Sequence, residues 1–234
     1  MKKRNEDKLK LYFTEESDQL ASIRTNWFSD FILQNINVNE QHAKDKKILD
    51  VGCGNGKLLY NLKKRGFQHV YGCDYSHVSK KMSNAMKGYQ TIDLNRDSLT
   101  SLYGKESFDL VCCTEVLEHL FDPERTIIEM IEITKRNGYI FISVPLDINI
   151  LARIKYLFGQ GISAPFSVGT HIKFFKPHMI LDKLRQHELE IVKLKYLGLG
   201  YGVLDQKIQS ITGILARTMP SLFSSDMMIL LKKK

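Results

Sequence analysis

The chain has 234 residues, 43% of them hydrophobic, which suits one α/β domain with room for insertions. Its net charge of +8 admits an anionic substrate, nucleic acid or a membrane surface without selecting one. No apolar run approaches the ~20 residues of a membrane span, the charged opening Met1–Lys10 lacks the apolar segment of a secretion signal, and no repeat or low-complexity linker appears.

Residues 1–13 read as a loose lead-in. Thr14 is placed to cap a helix running to about Asn35, on which Trp27, Phe28, Phe31 and Ile32 form an apolar stripe. Core packing is the simplest use of that stripe. The stretch Ile48–Gly56 organises the rest. An apolar run enters, Asp50 sits near its end, and Gly52, Gly54 and Gly56 follow at alternate positions. This predicts a buried strand, a tight turn and a helix starting near Lys57. Glycines there let the backbone approach a ligand, and the helix N-terminus beyond offers free N–H groups. A dinucleotide fingerprint would place its third glycine where Lys57 stands, and no G-x-x-x-x-G-K-[ST] is present.

Leu58, Leu59 and Leu62 give the next helix a buried face. A strand is predicted over His69–Cys73, and Asp74 closes it 22 positions after Gly52, near the ~20 expected of a ribose-binding carboxylate. A turn-capping role is the plain alternative for Asp74. Then come a helix over 76–86, a short strand over Tyr89–Ile92 ended by Asp93 and Leu94, and a buried strand over Phe108–Cys113. Pro123 opens a helix to Arg136, Gly138 ends it, and a strand over 139–144 stops at Pro145. Residues 146–170 are long and apolar for a connector and read as a lid or substrate-side insertion. Pro177 opens a helix to about His187, with His178 and His187 on its surface. A strand over 189–197, a helix over 203–219 and a strand over 226–231 complete the chain. Cys53, Cys73, Cys112 and Cys113 fall in or beside buried strands with no zinc spacing, so they read as reduced core thiols of a cytoplasmic protein.

The stretches ILDVGCGNGKLL (48–59) and FDLVCCTEVLEHLFDP (108–123) resemble the class I S-adenosylmethionine-dependent methyltransferases, and the second also resembles their ubiquinone-biosynthesis O-methyltransferase branch. The ending FSSDMMILLKKK resembles that family's last strand. The likeness covers roughly residues 45–198 plus this strand. It implies an α/β fold: a Rossmann-like three-layer sandwich with a mostly parallel seven-stranded sheet whose last strand is antiparallel. It implies one domain over 1–234, with a helical cover at 1–40, a lid or substrate insertion at 146–176 and a helical substrate-side segment at 200–222. It implies S-adenosylmethionine as cofactor, held by Asp50, Gly52, Cys53, Gly54, Gly56, Asp74, Tyr75, Asp93, Leu94, Thr114 and Glu115.

Glu115, Glu118 and His119 stand at i, i+3 and i+4, which on a helix puts them on one face. Two carboxylates and an imidazole make half of a Mg²⁺ or Mn²⁺ site. The ubiquinone-pathway enzymes carry a similar E-x-x-E-H that holds a divalent cation. The plant small-RNA terminal 2′-O-methyltransferases add a later histidine before aromatics, and here His171 precedes Ile172-Lys173-Phe174-Phe175. The resemblance therefore implies Glu115, Glu118, His119 and His171 as metal ligands, and Glu118 and His119 as catalytic. The plain alternative is a metal-free turn in which His119 is a base or a packing residue. Three functions compete: O-methylation of a small-molecule, quinone-precursor or glycan hydroxyl; methylation of an RNA terminus with a metal; and non-catalytic cofactor binding. The positive charges are scattered rather than striped, which argues against RNA, and peripheral membrane contact has no dedicated signal.

Overall fold

A computed structural model describes residues 15–36, 43–75, 86–159, 171–199 and 206–234. Seven strands form one sheet in the order β3-β2-β1-β4-β5-β7-β6. They are β1 (Lys47–Val51), β2 (His69–Asp74), β3 (Gly88–Thr91), β4 (Phe108–Thr114), β5 (Thr134–Pro145), β6 (Leu189–Gly198) and β7 (Ser224–Lys233). The first five run parallel, and β7 is antiparallel to both β5 and β6. Chain order departs to opposite sides from β1, so β1 and β4 flank the switch point, where such sheets bind ligands at their carboxyl ends.

The helices are α1 (Glu15–Asn35), α2 (Lys57–Lys64), α3 (Leu99–Tyr103), α4 (Pro123–Ile133), α5 (Ile150–Leu157), α6 (Pro177–Leu184), α7 (Gln206–Thr218) and α8 (Pro220–Phe223). Two cores cover the two sheet faces. On one, Phe28, Phe31 and Ile32 of α1 and Leu58, Leu59 and Leu62 of α2 pack on Ile48, Phe141, Met228 and Leu230. On the other, Ile127, Met130 and Ile133 of α4 and Ile180 and Leu184 of α6 pack on Leu49, Val111, Ile140, Ile142 and Ile229. Alternate residues of one strand thus enter opposite cores, which is why the central strands are largely apolar, as in Leu110–Cys113 of β4 and Met227–Leu231 of β7. The α1 stripe is core, as expected: Phe28 and Phe31 stand 5.7 and 5.8 Å from Phe141, ring centre to ring centre. All four cysteines are buried free thiols.

Several boundaries differ from expectation. The helix from Pro123 ends at Ile133, not Arg136, and β5 begins at Thr134. The Thr134 hydroxyl donates back to the Met130 carbonyl at 2.6 Å, which closes the last turn. Gly138 is therefore no helix terminator. It lies inside β5 beside a register shift against β4, and a Cβ there would stand 2.8 Å from the Lys135 carbonyl oxygen. Residues 146–170 contain α5, capped by Asn149, whose Oδ1 accepts the Ala152 N–H at 3.2 Å. The helix from Pro177 stops at Leu184, short of His187; His178 is exposed and His187 half-buried. The last strand is longer than expected, from Ser224 to Lys233. The helix predicted over 76–86 falls almost wholly outside the described residues, as do residues 1–14 and 160–170. Among the described residues, no helix is long and apolar enough to cross a membrane.

Candidate active site

The glycine loop joins β1 to α2 at the switch point. Gly52, Gly54 and Gly56 all have positive φ, at 73°, 52° and 75°. Gly52 and Cys53 donate their N–H groups to the Cys73 carbonyl at 2.8 and 3.0 Å, which ties the loop to β2. A Cβ on Gly52 would lie 2.2 Å from Cγ2 of Val116, so the residue must be glycine both for its backbone and for its neighbour. A Cβ on Gly54 would meet nothing within 4 Å, so this face of the loop is open.

Asp74 sits at the carboxyl end of β2, and its Oδ2 accepts the Gly54 N–H at 2.8 Å. Asp50 is buried in β1 with Oδ1 lacking a hydrogen-bond partner in the protein. Burial, then the charge of Asp74, holds its carboxyl well above the usual range. An orphaned acid, an open glycine loop and a second acid at the next strand end suit a ligand rich in donors, as the amine and ribose of S-adenosylmethionine are. Cys53 is packed inward: a Cβ on Gly72 would lie 2.7 Å from its sulfur. Tyr75 projects into solvent at 71% exposure. Asp93 holds its own turn, with Oδ1 accepting the Asn95 N–H at 3.0 Å, while Leu94 packs partly buried on the core.

The E-x-x-E-H segment is not the helix its spacing suggested. Thr114 ends β4, Glu115 takes a left-handed conformation at φ 55°, and only Leu117–His119 form a short 3₁₀ turn. The reversal at Glu115 sends the two carboxylates in different directions. Both oxygens of Glu115 are engaged: Arg24 of α1 donates to Oε2 at 2.8 Å and the Ser143 hydroxyl to Oε1 at 2.9 Å. Arg24 also pairs with buried Asp226 at the start of β7.

Glu118 turns inward instead. Its side chain is 1% exposed, and Oε2 has no hydrogen-bond partner in the protein. Burial and then the charge of Glu115 push its carboxyl up to about 8. The Glu118 carbonyl accepts the N–H groups of Ile172 and Lys173 at 2.9 and 3.0 Å, which anchors the segment carrying His171. His171 is oriented by Asp147, 2.7 Å from its Nδ1, and this partner raises the imidazole above its usual range. The His119 and His171 rings meet edge to face at 5.0 Å. One ligand atom each from Glu118, His119 and His171 lie within 4.8 Å of one another. So three of the four expected metal ligands are brought together, and Glu115 is not among them. Asp147, Arg24, Ser143 and Asp226 escaped the sequence reading, because no local spacing links them to the motif.

Both the sequence and the fold match known proteins. A family model described as "Methyltransferase domain" matches residues 23–194. The ubiquinone biosynthesis O-methyltransferase of Pelagibacter ubique is 30% identical over 192 residues, covering 80% of this chain and 77% of that protein. The enzyme of the same name from Rickettsia bellii is 27% identical over 188 residues, covering 76% and 75%. Among solved structures, magnesium protoporphyrin IX methyltransferase from Synechocystis with bound S-adenosylhomocysteine aligns with TM-score 0.61 at 13% identity, over 99% of this chain and 94% of that one. A S-adenosylmethionine-dependent methyltransferase from Archaeoglobus fulgidus aligns with TM-score 0.56 at 18% identity, over 90% and 93%. The chain belongs to the class I S-adenosylmethionine-dependent methyltransferases.

Proposed function

We propose that this enzyme methylates a hydroxyl of a small molecule carrying two adjacent hydroxyls, such as a quinone precursor, with a divalent cation at Glu118, His119 and His171. The observation that carries the reading is the convergence of those three side chains at the turn after β4, whose first residue, Val116, lies against Gly52 of the loop. The names of the relatives point to the same acceptor class.

The donor supplies a methyl group already activated on a sulfonium. The protein's task is to place the acceptor in line and to deal with one proton. Asp50, Asp74 and the open face of the loop at Gly54 are read as the donor's cradle, with Asp93, Leu94, Thr114 and Tyr75 around it. The protein atoms of the three-residue cluster fit Mn²⁺ better than Mg²⁺, since two imidazoles accompany one carboxylate: a buried carboxylate oxygen lacks a partner, and Asp147 on Nδ1 leaves the other ring nitrogen of His171 as the ligand atom. A cation there would lower the proton affinity of an acceptor hydroxyl. His119, 43% exposed beside Glu118, is the residue placed to receive that proton. Within this reading α1 covers the donor, and α5, residues 171–176, α7 and α8 form the acceptor side. Leu151, Ile154, Leu157 and Phe158 of α5 and its end are exposed around Lys155, a face suited to an acceptor's apolar tail. The four reduced thiols support a cytoplasmic setting.

Methyl transfer from labelled donor to catechol acceptors, bare and tailed, tests the function. The expected result is transfer to a catechol but not to the corresponding monophenol, with the tailed acceptor showing the lower KM. Equal turnover of both rings would sink the vicinal-hydroxyl reading. A separate titration tests the cradle: Asp74→Ala should weaken donor binding by ~1–3 kcal/mol, since it strips a charged acceptor and frees the Gly54 N–H. Unchanged calorimetric affinity in the folded variant removes Asp74 from the donor site.

A further inference from the structure

A cavity of about 230 Å³ opens at the end of the sheet opposite the glycine loop, where β1, β4 and β5 begin and β7 ends. A register shift makes room for it. Thr134 pairs with Phe108 and Tyr139 with Leu110, so residues 135–138 of β5 stand against Asp109 alone. Asn137 takes up the extra length in the left-handed region, at φ 61°. Beyond the shift, Leu110, Tyr139 and Lys232 line up across three neighbouring strands and form the floor. Ile36 just beyond α1 and buried Phe67 after α2 form the facing wall. The rim is cationic. Asp109 is already answered by Lys46 at 2.9 Å, Lys135 at 2.8 Å and the Lys47 N–H at 3.0 Å. Arg136 and Lys232 also line the cavity, and among the described residues neither has an acidic partner.

We propose that this cavity binds a small aromatic carboxylate, with its ring on Phe67, Leu110 and Tyr139 and its anion held by Arg136 and Lys232. Two cations without acids attract an anion, and a guanidinium meets a carboxylate through two parallel hydrogen bonds. The lining decides which anion. Inorganic phosphate would shed water against Ile36, Phe67 and Leu110 and gain nothing from them. A flat ring instead buries apolar area there and meets Phe67 and Tyr139 as aromatic partners. The volume lies below the ~300–1,000 Å³ of sites for drug-sized ligands, so a single ring is the size that fits. The five residues of β1, roughly 16 Å of strand, separate this cavity from the glycine loop. The site therefore stands independently of the donor and of the cation reading given above.

Benzoate binding to the full chain is followed by calorimetric titration, against benzamide as the uncharged ring and inorganic phosphate as the ringless anion. Wild type should bind benzoate with a dissociation constant of about 1 mM or tighter, and the other two about tenfold more weakly. Arg136→Gln and Lys232→Gln should each weaken benzoate by about threefold, and their combination by about tenfold. Affinity for S-adenosylmethionine should stay within about twofold in every variant. Thermal melting reports that each is folded. Wild-type benzoate affinity in the folded double variant overturns the proposal and puts the ligand elsewhere, as at the acceptor side. Arg136 is exposed. If Lys232→Gln fails to fold, Arg136→Gln decides alone, and wild-type affinity in it overturns the proposal. Benzamide binding as tightly as benzoate overturns the role of the two cations. Phosphate binding as tightly overturns the aromatic class. A wild type that shows no saturable benzoate binding overturns the site itself.

Discussion

Glu118→Gln is expected to lose divalent-cation binding and to slow methyl transfer by ~10²–10⁴-fold, because the several kcal/mol of charge stabilisation that a bound cation would supply is lost with it. Donor affinity should stay within about twofold, because Glu118 faces His119 and His171 rather than the glycine loop. The same variant should melt higher than metal-free wild type at pH 8. The sign follows from the carboxyl's displacement up to about 8, caused first by burial and then by the charge of Glu115. A raised pKa means that the folded chain holds a proton the unfolded chain has already released. Its contribution is fully present below the unfolded value, ~4.3, and is lost as pH rises through about 8. Gln cannot ionise, so the loss disappears; each kcal/mol recovered is worth ~2–4 °C in a chain of this size. Added Mn²⁺ should narrow the gap by compensating the Glu118 charge in wild type alone. Excess chelator should make wild type resemble the variant in turnover. Full turnover by protein shown to be metal-free would remove the cation, leaving His119 as a plain general base.

The parts of this molecule written in contiguous residues were legible before any coordinates. Strands buried on both faces require largely apolar runs, as in Ile48–Val51 and Phe108–Cys113, each interrupted by a single aspartate, and the loop's backbone requires glycine at fixed offsets. Asp74 was placed at the end of β2 because one strand–helix–strand unit has a nearly constant length. What failed were inferences that assumed a conformation. The i, i+3, i+4 reading of Glu115, Glu118 and His119 presupposed helical φ at Glu115, where the chain instead reverses at 55°. The helix drawn through Lys135 and Arg136 met no breaker before Gly138, yet Thr134 already belongs to β5, where pairing with β4 outweighs local preference. The most consequential omissions are distant. Arg24 and Glu115 are 91 positions apart, and Asp147 and His171 are 24 apart. Such pairs are set by which elements the sheet order brings to one edge, and a single sequence carries no local periodicity for them.

Gly52→Ala should be the most damaging single methyl in the loop. Two independent costs fall on it. The backbone sits at φ 73°, where a side chain costs ~1–2 kcal/mol. The added Cβ would also lie 2.2 Å from Cγ2 and 3.2 Å from Cβ of Val116, so that side chain must shift to admit it. Val116 begins the turn after β4, and its carbonyl accepts the His119 N–H at 2.9 Å. Strain at Gly52 therefore passes from the glycine loop into the turn that carries Glu118 and His119. The expected loss is ~2–5 kcal/mol of stability, the sum of the two costs, or a fall of roughly 4–20 °C in melting temperature. The donor-induced thermal shift should be nearly abolished. Val116→Ala in the same chain should recover part of the stability, because it relieves the steric cost and leaves the backbone cost in place. The rescue separates the two: a double variant no more stable than Gly52→Ala would assign the whole effect to φ. A Gly52→Ala protein that melts like wild type and keeps its full shift with S-adenosylmethionine would show that neither the loop geometry nor its contact with Val116 sets the donor site.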